Sequence, residues 1–121
     1  MKTFRTVLTL LFSLLMILAG INHFVKPLIY APFIPQWLPL IAVNYFTGGV
    51  EITIGAGLIF KLSRRVASIL LVFLMVFFLP FHLTDVFRTH PAIGSHLLAW
   101  IRLPLQFVLI YWAWFIVPRA R

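Results

Sequence analysis

The chain contains no cysteine, which excludes thiol nucleophiles, disulfides and thiolate metal ligands from this polypeptide. Acidic residues are almost as scarce. Glu51 and Asp85 are the only two carboxylates, too few for a carboxylate-rich cation site. Charged residues of either sign make up 10% of the 121 residues, whereas 63% are hydrophobic and the mean hydropathy is +1.08. A soluble domain of this length cannot hide that much apolar surface, so the composition predicts an integral membrane protein of one small domain. The net charge of +8 would suggest nucleic acid in a soluble protein. Here the basic residues sit between or beyond apolar runs and read as topology signals, so no nucleic-acid partner is expected and the bilayer is the expected environment.

Four apolar runs are present, and they predict an all-α fold: a four-helix bundle with helices at about 4–24, 40–60, 66–86 and 97–117, forming a single domain over 1–121. The first run follows Lys2 and Arg5 as a secretory signal would. It is too long for such a signal, and Ile17 or Leu18 would stand where a cleavage site needs a small residue, so it is read as a retained span. Between runs 1 and 2, Pro27, Pro32, Pro35 and Pro39 forbid a continuous helix. The other residues there are mostly apolar, so this loop should lie on the membrane surface or fold over the bundle mouth, with Tyr30 and Trp37 near the headgroups. Pro80 and Pro104 predict bends in helices 3 and 4.

Lys2, Arg5, Lys61, Arg64, Arg65, Arg119 and Arg121 all fall on one side of such an arrangement, leaving Lys26, Arg88 and Arg102 toward the other. The positive-inside rule makes the first side cytoplasmic, with both termini there. The expected location is the cytoplasmic cell membrane, crossed several times.

One polar feature interrupts these runs. In NYFTGGVEITIGAG, Asn44, Thr47, Gly48, Glu51 and Gly55 recur at intervals of three and four, so one helix face is small and polar. An ionisable group within a span faces the protein interior and marks a functional site by default; the competing reading is an ion pair that only sets helix register. Counting up from the cytoplasmic charges at 1.5 Å per residue places Asn22, His23, Asn44, His82 and Arg102 at one depth, about 25 Å up. Gln106 and Glu51 fall below, at roughly 20 and 15 Å, with almost no polar side chains beneath them. Helix-end residues that merely reach the interface would explain Asn22, His23 and His82 equally well, but Glu51 and Gln106 are too deep for that. Depth matching predicts that Glu51 pairs with Arg102, with Gln106 between them.

Histidines from two helices can hold a b-type haem, but His23 and His82 would both lie at the mouth, where a haem would be wet, so haem is disfavoured. No cofactor is firmly implied, and a quinone is the one that fits: its carbonyls need donors such as Arg102 or His23 and its tail needs an apolar slot.

The ordered pieces AGINHF (19–24), P-x4-P-F-I-P-x-W-L-P (27–39), GGVEI (48–52) followed by GAGL, and RLPLQ (102–106) before an aromatic last helix resemble the DoxX-like family of small membrane proteins. The resemblance spans nearly the whole chain. It implies a four-helix, mostly bacterial membrane bundle; relatives include a subunit of a thiosulfate:quinone oxidoreductase and a chaperone of animal nicotinic receptors, so it does not imply one activity. Glu51, Arg102, Gln106 and His23 match the family's motif positions, whereas His82 stands where many members have Asn.

These observations set out an expected function: an accessory membrane protein without catalysis of its own, in which Glu51, Arg102, Gln106, His23, Asn22, Asn44 and His82 line an outward-facing pocket for a quinone or other amphipath. A redox-enzyme subunit is the expected partner, and the oligomeric state is not readable. Two rivals come from other classes. One is an assembly factor or chaperone for membrane proteins. The other is a small proton-coupled multidrug transporter, which needs a glutamate free to exchange protons.

Overall fold

The computed structural model describes residues 2–119, so Arg121 lies outside the described residues. Among them the chain forms five helical segments and no strand: α1 (Lys2–Val25), a 3₁₀ segment (Pro27–Phe33), α2 (Leu40–Ile59), α3 (Arg64–Asp85) and α4 (His96–Phe115). The limits of the long helices differ from the expected ones by at most two residues. Local chemistry explains several ends. The side chain of Ser95 accepts from Leu98 N and so starts α4, while Arg64 donates to the carbonyls of Leu58 and Ile59 at the end of α2. Helices α3 and α4 continue through Pro80 and Pro104.

Three of the long helices, α1, α3 and α4, are long and apolar enough to cross a membrane, which makes the chain a multi-pass membrane protein. Helix α2 is as long as α4 but does not reach the same hydropathy, because it carries the Asn44, Gly48, Gly49 and Glu51 series. Its polarity is turned inward. Asn44, Gly48, Glu51 and Gly55 are buried, while Ile41, Tyr45 and Phe46 are exposed. The same inversion holds elsewhere, with Leu14, Leu18, Phe73, Phe77, Phe107 and Val108 about half exposed or more. A surface of that kind suits acyl chains rather than water.

The helices pack mainly as two pairs, α1 with α2 and α3 with α4, joined through α2 and α3. Each contributes a stripe at helical spacing. Phe12 and Met16 of α1, Ile54 and Leu58 of α2, Ala67, Leu71 and Met75 of α3, and Ala113 of α4 form one apolar core. This core fills the half of the molecule near the basic residues. Buried hydroxyls occur there as well, which the depth count did not foresee. They are satisfied by backbone: Thr9 donates to Arg5 O, Ser13 to Gly55 O at 2.6 Å, and Ser68 to Arg65 O.

Glycine sets the distance between α1 and α2. A Cβ on Gly48 would stand 2.7 Å from Gly20 O, and one on Gly20 would stand 2.7 Å from Gly48 O. The two backbones therefore touch at this level, as small residues permit in membrane helices. The consequence appears one turn away, where His23 of α1 meets Glu51 of α2.

Candidate functional site

The site is built where α1 and α2 are closest and is covered by the proline-rich connector. Four prolines prevent that connector from becoming an α-helix, and its first half forms the short 3₁₀ segment packed on α1 and α2. Asn44 donates to Pro27 O at 3.2 Å, and Arg88, beyond α3, donates to Pro32 O at 3.0 Å. The two bonds hold the segment at both ends. Trp37 is exposed (81%), as an interfacial residue should be, but Tyr30 is turned inward: its ring stacks on His23 with centroids 3.8 Å apart, and its hydroxyl accepts from Asn22 at 2.8 Å. Tyr30 is thus part of the site, although sequence reasoning had put it at the headgroups.

Glu51 is buried, and its titratable neighbour is His23, with Nε2 3.2 Å from Oε1. The expected pair with Arg102 is not formed. Gln106 does not bridge the two either; its Nε2 donates to Met75 O at 2.7 Å, which leaves Oε1 without a partner. Depth along the axis separates Glu51 from His23, yet the two are in contact, because depth carries no information about rotation around the axis or the reach of the side chains. The glycine contact between α1 and α2 brings His23 nearer to Glu51 than α4 can come. On its other side, His23 Nδ1 lies 2.8 Å from Asn44 Oδ1, and Asn44 also donates to Leu40 O. Asn44, His23 and Glu51 form one row across α1 and α2.

Arg102 and His82 face the same covered region from α4 and α3. Arg102 is near enough for its charge to act on both Tyr30 and His82, and the His82 ring meets Phe33 of the 3₁₀ segment edge-on at 6.3 Å. All seven residues singled out in the sequence therefore have a place. Asn22, His23, Asn44 and Glu51 form a contact cluster with Tyr30, Arg102 and His82 lie opposite, and Gln106 lies deeper against α3.

Among the described residues, four buried side-chain atoms have no hydrogen-bond partner: Glu51 Oε1, His82 Nδ1, Arg102 Nε and Gln106 Oε1. All four belong to the residues picked out by depth. Native proteins seldom leave such atoms unpaired, because each costs about 1–3 kcal/mol, more when charged. Asp85, the other carboxylate, is fully engaged in structure: it accepts from Ala92 N at 2.6 Å and Ile93 N at 3.2 Å, so it folds the connector before α4.

Neither ring nitrogen of His23 is free, because one meets Asn44 and the other Glu51, so His23 is not placed to ligate a haem with His82. No group of three or more His, Asp or Glu side chains suited to a metal ion occurs among the described residues.

This arrangement belongs to a polytopic membrane protein with a covered polar site. Residues 12–117 match the family described as "Domain of unknown function (DUF8561)", and the chain belongs to that family. No curated protein and no solved structure matches it.

Proposed function

We propose that the protein is a DoxX-like four-helix membrane bundle in which α2 also spans, that the end carrying Arg5, Arg64 and Arg65 is cytoplasmic, and that the polar site beneath the 3₁₀ segment receives the headgroup of an amphipathic ligand. A quinone is the ligand class that fits best, and the role is that of an accessory protein to a redox enzyme in the cell membrane.

The observation that carries this reading is the group of buried, unpartnered polar atoms His82 Nδ1, Arg102 Nε and Gln106 Oε1. They include a donor, Arg102 Nε, and an acceptor, Gln106 Oε1, so they suit a headgroup that both accepts and donates hydrogen bonds. A quinone and its quinol do so, and their tails would run into the acyl phase along the exposed aliphatic faces. Tyr30 supports the same reading. Its oxygen accepts from Asn22, which leaves its own hydrogen free to donate.

Extraction and mass spectrometry of lipids and quinones retained after gentle purification test the proposal. Quinone should be retained by the natural protein and fall at least tenfold in Arg102→Gln. Equal retention by both, or none by either, refutes it. The proton-coupled transporter stays as a second reading, because Glu51 faces a titratable histidine instead of being locked to Arg102. Cation uptake by proteoliposomes driven by a proton gradient and abolished in Glu51→Gln would favour it.

A further inference from the structure

The row formed by Asn44, His23 and Glu51 has a property that does not depend on what ligand the site takes. Asn44 is oriented by its own donors. Its Nδ2 lies 3.2 Å from Pro27 O and 3.0 Å from Leu40 O, two carbonyl oxygens that can only accept. Turning the amide over would set its oxygen against both, so the oxygen must face His23, where it lies 2.8 Å from Nδ1. An amide oxygen needs a donor there. His23 therefore carries a hydrogen on Nδ1.

The consequence falls on the other ring nitrogen. With Nδ1 protonated, a neutral His23 has a bare Nε2, and this atom stands 3.2 Å from Glu51 Oε1. If Glu51 were ionised, two acceptors would face one another. Oε1 would then be a buried carboxylate oxygen facing a bare nitrogen, with no donor. A charge so placed is among the most costly arrangements in a membrane span. One hydrogen between Nε2 and Oε1 removes the conflict wherever it resides, giving either a neutral acid donating to imidazole or an imidazolium paired with a carboxylate.

We propose that Asn44, His23 and Glu51 form a proton-binding site within the membrane span, holding one proton between His23 Nε2 and Glu51 Oε1 while the Asn44 amide keeps the other ring hydrogen on Nδ1. The pair has no net charge with this proton and one negative charge without it. The groups facing it are Tyr30 of the 3₁₀ segment, stacked on the ring at 3.8 Å, with Arg102 of α4 and His82 of α3 beyond. His23 and Glu51 are themselves 8% and 5% exposed, so exchange with the outer solution has to pass the Tyr30 edge, where Asn22 and Tyr30 are only half-buried.

Protein with ¹⁵N-labelled histidine, reconstituted in lipid nanodiscs at neutral pH, tests this directly, with the His23 signals assigned by their loss in His23→Gln. The expected result is a hydrogen on Nδ1 together with either a protonated Nε2 or, by infrared spectroscopy, a protonated-carboxyl C=O band that disappears completely in Glu51→Gln. That variant is isosteric and can donate its amide to Nε2, so it should fold and keep the Nδ1 hydrogen. A bare Nε2 alongside an ionised Glu51 overturns the proposal, and so does a bare Nδ1. Neither readout requires a ligand, so failure of the quinone reading leaves this result standing.

Discussion

The two carboxylates of this basic chain have opposite fates, decided by what donates to them. Asp85 accepts two backbone N–H groups of the loop it closes. Glu51 receives none, and its titratable neighbour is a histidine whose other ring nitrogen already meets Asn44. Asp85→Ala should therefore lower stability by about 1–3 kcal/mol, since it leaves two amides without an acceptor, and should speed hydrogen exchange at Ala92 and Ile93. Asp85→Asn keeps one acceptor oxygen and should lose less. Unchanged exchange in Asp85→Ala would show that the loop does not depend on this side chain. The residue types needed for the site were readable from their rarity and depth. Their pairing was not, because Arg102 and His23 are both plausible partners for a glutamate, and only the rotation of each helix about its axis chooses between them.

At the level of elements, the α1 and α2 contact determines the site, and glycine determines the contact. Gly48 faces Gly20 O, Phe24 and His23, whereas Gly49, one residue on, would place a Cβ in open space. Gly48→Ala should separate the helices, destabilise the protein by about 1–3 kcal/mol and disturb the His23 signals. Gly49→Ala should change stability by no more than about 0.5 kcal/mol. Thermal unfolding of both variants in one detergent is the measurement, and equal midpoints would contradict the glycine contact. Helix extents followed closely from the apolar runs and the prolines. The 3₁₀ segment was legible only as a region that could not be an α-helix, since proline density says what a chain cannot form and leaves its path open.

The whole molecule is polarised from end to end. Basic residues gather at one end, and there they bind backbone carbonyls: Arg5 donates to Phe115 O at 2.6 Å with its guanidinium 4.4 Å from the Phe115 ring, and Arg65 donates to Pro118 O. Cations at helix C-termini are favourable for the same reason that carbonyls there lack partners. The absence of cysteine allows the orientation to be tested cleanly. Leu62→Cys and Trp37→Cys would each place a single thiol at exposed positions at opposite ends of α2. An impermeant maleimide should label Trp37→Cys in intact cells and Leu62→Cys only after permeabilisation; the reverse pattern would invert the proposed topology. The sequence by itself determined that the chain is helical and membrane-bound and where its helices run, because hydropathy, proline and rise per residue are local quantities. Only the tertiary structure decided that Glu51 meets His23, that Tyr30 turns inward and that Gln106 serves α3. Those contacts depend on how closely and at what rotation two helices approach, which no single run of residues records.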